Sequence, residues 1–210
     1  MIYEFRTYDL KPGSVPVFGE RVLEKLDKRL EYSQLGGYFY TEIGPLNQVV
    51  HIWPYQDLNE RNQIRSKTLE DGIWPPDGTG IVEKLNSEIM LPAKFMDPLT
   101  PRSIGPIYEI RTYIFAQGDL PKALTAWEKS IDERKKYSPF VGCWYSDIGQ
   151  LNKMVHIWAY SSLEHRAETR KTVVEKGVWP PKDRTPLLSQ ESKILLPFEF
   201  SLCNNLFHDE

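Results

Sequence analysis

Cysteine is nearly missing from this chain: Cys143 and Cys203 are its only two in 210 residues. Neither recurs at the matching position of the internal repeat described below. Both read as free, reduced and inert, which suits a cytoplasmic protein. No apolar run approaches the roughly 20 residues that span a bilayer, so membrane insertion is not expected. The start, Met1-Ile2-Tyr3-Glu4-Phe5-Arg6, lacks the basic opening and apolar stretch of a signal peptide. Neither sign of charge dominates. Lys and Arg number 26 and Asp and Glu 29, for a net charge of −3, so no broad basic surface for nucleic acid is expected. Glycine-rich phosphate loops, a Gly-x-Ser-x-Gly elbow and Cys-x-x-Cys are all absent. No second His or Cys stands at ligand spacing from His51 or His156, so neither a metal nor another cofactor is expected. Haem needs only one side chain, and ligation by His51 or His156 stays open.

What the chain does have is a duplication. Hydrophobic residues make up 40% and aromatics 12%, ample for a core. Tyr3-Glu4-Phe5-Arg6-Thr7-Tyr8 returns 105 residues later as Tyr108-Glu109-Ile110-Arg111-Thr112-Tyr113. At the same offset His51-Ile52-Trp53 matches His156-Ile157-Trp158, Arg61 and Arg65 match Arg166 and Arg170, and Gly72-Ile73-Trp74-Pro75-Pro76 matches Gly177-Val178-Trp179-Pro180-Pro181. A period this long means two duplicated domains, not a solenoid of about 20–50-residue repeats. The spacing divides the chain into repeats at 1–97 and 107–210. The proline-bearing linker 98–106 between them reads as extended.

Within one copy, Ile2 to Tyr8 alternates and is rich in aromatic and β-branched residues, which predicts a strand. Ser14 is placed to cap a helix striped by Val15, Phe18, Val22, Leu26 and Leu30. Copy two keeps the stripe as Leu120, Ala123, Trp127 and Ile131, then has Lys135. Tyr38–Ile43 and Gln48–Tyr55 read as a hairpin, Asp57 caps a second helix, and Asn86–Leu91 is the last strand. The order strand-helix-strand-strand-helix-strand is the ferredoxin-like unit. The fold class is therefore α+β: two tandem βαββαβ repeats whose sheets face each other as a pseudo-dimeric α/β barrel.

Alternation sorts the strand faces. Tyr3, Phe5, Val50 and Ile52 form an apolar set; Glu4, Arg6, Tyr8, His51, Trp53 and Tyr55 form a polar and aromatic one. The more apolar set is expected to meet the helices. The polar set is then expected to line a barrel interior enclosed between the two sheets.

These residues resemble the NIPSNAP family. The carriers are Tyr3 through Gly13, then His51-Ile52-Trp53-Pro54-Tyr55 with Leu58, Arg61 and Arg65. The second set is Tyr108 through Gly118, then His156-Ile157-Trp158-Ala159-Tyr160 with Leu163, Arg166 and Arg170. Copy two departs from the opening turn, with Ala116-Gln117 for Lys11-Pro12. The resemblance implies the dimeric α/β-barrel superfamily, which includes cofactor-free monooxygenases, lactone isomerases, cyclases and haem enzymes. It does not transfer a reaction.

The candidate chemistry has two readings. In one, the barrel binds a small aromatic or keto/enol molecule, as in a cofactor-independent oxygenase or isomerase. Arg6 and Arg111 then grip an oxyanion, and His51 and His156 move a proton. Glu4 and Glu109 stand beside the arginines. Tyr8, Tyr40, Trp53 and Tyr55, with Tyr113, Tyr145, Trp158 and Tyr160, stack on the ligand. In the other reading the Glu–Arg pairs are structural, the histidines are hydrogen-bonded core, and the chain is a non-catalytic ligand-binding or protein-interaction module. Arg61 and Arg65 read as a helix surface reaching Glu60 or Glu70 or closing a pocket rim. His165 and His208 read as surface. Assembly into homo-oligomers stays open.

Overall fold

The computed structural model describes residues 1–100, 103–201 and 203. His208 and the linker residues Pro101 and Arg102 lie outside them. The first half runs β1 (Ile2–Leu10), α1 (Val15–Leu30), β2 (Gly37–Ile43), β3 (Gln48–Tyr55), α2 (Leu58–Glu70) and β4 (Val82–Pro92). The second runs β5 (Ile107–Ile114), α3 (Leu120–Glu128), α4 (Ile131–Lys135), β6 (Phe140–Ile148), β7 (Lys153–Tyr160), α5 (Leu163–Glu175) and β8 (Ser189–Pro197). The βαββαβ order thus holds in each half. In the second, the first helix is split after Glu128.

Local chemistry sets these boundaries. Asp57 caps α2 by accepting from the amides of Asn59 and Glu60 at 2.8 and 3.0 Å. Ser14 occupies the capping position of α1, but its side chain makes no capping bond. Its carbonyl accepts from the Phe18 amide instead. Asn47 and Asn152 turn the hairpins at φ of 55° and 53°, a left-handed conformation that asparagine tolerates better than most residues.

Among the described residues the eight strands close into one antiparallel barrel, in the order β1-β3-β2-β8-β5-β7-β6-β4. Closure leaves no free edge along the sheet. Two seams join the halves, β2 with β8 and β4 with β6. The ion pair of Glu88 with Lys153 ties one. The Lys193 ammonium, donating to Gln48 Oε1 at 2.7 Å, ties the other.

The two strand faces lie opposite to the sequence expectation. Tyr3, Phe5, Val50 and Ile52 pack inside the barrel with Tyr108, Ile110, Val155 and Ile157. Trp144 fills that interior, edge-on to Tyr3 and Phe5 at 5.6 and 5.1 Å. The polar and aromatic face looks outward under the helices. Tyr8, Trp53 and Tyr55 cluster there with Phe18, Val22 and Leu26 of α1. The physical reason lies in α2 and α5, which carry arginines down onto the buried carboxylates. The buried carboxylate of that face is therefore paired without a second sheet. Among the described residues no helix is long and apolar enough to cross a membrane.

Candidate functional site

Each outer face is organised by one fully buried glutamate. Glu109 Oε1 accepts from Arg166 Nη2 of α5 and from Ser192 Oγ of β8, both at 2.6 Å. Arg111 stands at 3.4 Å and Arg170 at 3.7 Å from the same oxygen. Glu4 repeats this with Arg61 and Ser87 at 2.6 Å, and with Arg6 and Arg65 at 3.6 Å. The helix arginines thus reach the sheet, not Glu60 or Glu70. Burial alone would raise the Glu109 carboxyl. Hydrogen bonds from Arg166 and Ser192 and the charges of Arg166 and Arg111 outweigh it and hold the group at about 2. Glu4 is lowered in the same way.

His156 lies directly opposite Arg111 across the β5–β7 ladder, so the two share this face. Trp158, two residues on, donates its indole N–H to His156 Nδ1 at 3.0 Å; Trp53 does the same to His51 at 2.6 Å. An imidazole accepting at Nδ1 carries its proton on Nε2 when neutral. Burial first, then the Arg111 charge, push His156 down to about 3, and His51 falls well below its ordinary value. Each ring is therefore neutral at pH 7 and offers Nε2–H as a donor. That geometry favours hydrogen-bond donation over proton abstraction, and it offers no lone pair for haem iron. Among the described residues no group of three or more His, Cys, Asp or Glu is gathered to hold a metal.

The halves diverge in front of these rings. In the second half a cavity of about 580 Å³ lies between the sheet and the helices. Its wall includes Glu109, Arg111, Tyr113, His156, Trp158 and Tyr160 from the strands and Ala123 and Trp127 from α3. Arg134, Arg170, Trp179 and Arg184 also line it. Four arginines and one carboxylate therefore line the cavity. In the first half Phe18 stands where Ala123 does, fully buried against Tyr8 at a ring separation of 6.0 Å. Tyr38, matching Cys143, stacks on His51 at 4.5 Å and 10°. In the second half the aromatic comes from the helix: Trp127, matching Val22, meets His156 at 4.7 Å and 57°.

Of the residues singled out in the sequence, Glu109, Arg111, Tyr113, His156, Trp158 and Tyr160 come together around the cavity. Tyr145 packs at the edge of the nearby core and Tyr40 against Phe198 at 5.1 Å; neither lines it. Glu4, Arg6, Tyr8, His51, Trp53 and Tyr55 form the filled counterpart. Sequence reasoning missed Ala123, Trp127, Arg134 and Arg184 as wall residues. Arg134 donates to Ser138 Oγ at 2.9 Å and to the Tyr160 hydroxyl at 3.3 Å, and lies 4.0 Å over the Trp158 ring. Its match Arg29 does the same with Ser33, Tyr55 and Trp53. That shared arginine was a readable signal.

The NIPSNAP family model matches residues 3–97 and again 108–202. A NipSnap homolog of Dictyostelium discoideum is 30% identical over 203 residues, covering 93% of this chain and 87% of that protein. Human NipSnap homolog 3A is 28% identical over 211 residues, covering 96% and 85%. A candidate monooxygenase of Lactobacillus acidophilus has a similar structure, with a TM-score of 0.66 over 93% of this chain and 92% of that one. Its identity is 12%, so the likeness is one of fold.

Proposed function

The chain belongs to the NIPSNAP family, and from that premise we propose that it binds a small molecule in the outer cavity of its second half. One observation carries this reading. The cavity has about the volume of ordinary ligand sites, an aromatic wall and a few convergent polar groups. The finer proposal is chemistry on an aromatic or keto/enol substrate, of the cofactor-independent oxygenase or isomerase class. Arg111 would face the developing oxyanion, with His156 as a neutral donor beside it. The site would lie between sheet and helices, because aromatic side chains fill the barrel interior.

A second reading, a non-catalytic interaction module, draws on the first half. The same Glu–Arg network persists there with Phe18 in the space, so in that half it serves the fold.

A thermal-shift screen of aromatic acids, polyketides, quinones and acyl compounds tests the first reading, run on wild type and on Ala123→Phe. That substitution places the first half's plug in the cavity. A ligand at about 100 times its dissociation constant stabilises by roughly 2.7 kcal/mol. Binding reads as a shift present in wild type and lost in the variant. No shift in wild type, or equal shifts in both, overturns it and leaves the interaction module.

A further inference from the structure

Buried hydrogen-bonding groups rarely go without partners; an unsatisfied one is a cost that a bound group can relieve. Two such donors stand side by side in the second half. His156 Nε2 and Arg111 Nε are buried and have no hydrogen-bond partner within the protein. Their residues are directly paired across β5 and β7, and both line the cavity. His156 is 2% exposed. The surrounding charge points the same way. Arg111, Arg166 and Arg170 all crowd one glutamate oxygen, which can balance only one of them. Arg184 adds a further positive group at the exposed rim.

Resting on the reading that this cavity binds a small molecule, we propose that it takes a planar aromatic carboxylate or the corresponding enolate. The anionic oxygen sits on His156 Nε2–H and Arg111 Nε–H, and the ring lies among Tyr113, Trp127 and Trp179. An uncharged donor next to a fixed guanidinium suits an oxyanion, since neither group needs to change protonation to bind it. The aromatic wall fits the flat body: Trp127 meets Trp179 edge-on at 4.6 Å, and Tyr113 meets His156 at 4.9 Å.

The first half is an internal control. His51 Nε2 and Arg6 Nε are likewise without partners. There, however, Tyr38 covers the imidazole face and Phe18 occupies the matching space. Equivalent donors without room predict one anion per chain, bound in the second half.

The probes are 2-naphthoate and its uncharged isostere 2-naphthamide, titrated into the full chain by calorimetry. The acid should bind about tenfold or more tighter than the amide, with a stoichiometry of one. Arg170→Ala, at a partly exposed rim position, should narrow that gap. His156→Gln, which keeps an N–H donor, should retain more of the acid's affinity than His156→Leu. The wild type also supplies a test that needs no variant. The groups facing His156 are Glu109, Arg111 and Tyr113 of β5, Arg134 of α4 and Arg170 of α5. The imidazole stays neutral and Glu109 ionised between about pH 5 and 9, so affinity should be flat there.

Equal binding of acid and amide removes the anion seat while leaving a small-molecule site. Affinity that climbs as pH falls through 6.5 removes the neutral histidine donor. Failure of both probes to bind, with only water on the two donors, removes the anion proposal. Whether the cavity binds anything else is then decided by the wider screen with Ala123→Phe.

Discussion

Trp158 and His156 sit two residues apart on β7, and the indole N–H of the first donates to Nδ1 of the second at 3.0 Å. Alternation along a strand puts both on one face, so the contact follows from spacing alone. It places the imidazole proton on Nε2, which has no partner within the protein. Trp158→Phe keeps a ring there but strips the donor, leaving Nδ1 buried and unpaired. We expect a loss of about 1–3 kcal/mol in urea unfolding. Nitrogen NMR of His156 should also change from a single Nε2–H tautomer to a mixture. An unchanged tautomer in the variant would show that the tryptophan does not set it.

Stability should fall early on acidification. His51 and His156 have folded values below the ordinary 6.5, His156 at about 3. The unfolded chain therefore binds more protons once pH drops below 6.5, and stability present above that pH is lost as pH falls. Glu109, at about 2 against an ordinary 4.5, acts in the same direction at lower pH, below 4.5. Urea midpoints should accordingly decline from pH 7 to 5 and more steeply below 4.5. A midpoint that holds level down to pH 4 would mean that these groups titrate normally when folded.

Phe18 and Ala123 should respond unequally to exchange. Phe18→Ala empties a packed position and should cost about 3–5 kcal/mol. Ala123→Phe enters space that is already open and should change stability by less than about 1.5 kcal/mol. Denaturant titrations of the two variants compare them directly. Equal losses would mean the second half has no room beside α3.

The seams distinguish the halves by charge. Glu88 and Lys193 occupy matching positions, as do Gln48 and Lys153. Two second halves paired together would set Lys193 against Lys153. Glu88→Lys recreates that clash inside one chain and should cost on the order of 3 kcal/mol, since the pair it breaks is largely buried. Adding Lys153→Glu should recover more than half of the loss. A double variant no better than the single would assign the effect to packing.

Much of the fold was legible because the repeat is written twice. Tyr3–Tyr8, the His-x-Trp strands and the Asp57 cap all carry local chemistry that survives tertiary context. Which strand face turned inward was not legible from alternation. A polar set containing Glu4 and Arg6 can be buried under any layer that brings counter-charges, and that layer proved to be the helices. Arg61, Arg65 and Ser87, repeated as Arg166, Arg170 and Ser192, were the available signal. The cavity was half-written. Ala123 in place of Phe18 shows lost volume, but whether Trp127 refills it depends on a side-chain direction that no spacing encodes.

The most direct measurement is an indole-nitrogen NMR titration of the full chain with 2-naphthoate, because the six tryptophans report on three different places. Trp127, Trp158 and Trp179 line the second-half cavity; Trp53 and Trp74 lie under α1 in the first half; Trp144 is inside the barrel. Binding in the outer cavity predicts shifts at Trp127, Trp158 and Trp179, with the other three unmoved. Shifts confined to Trp144, or to Trp53 and Trp74, would place the ligand elsewhere and contradict it.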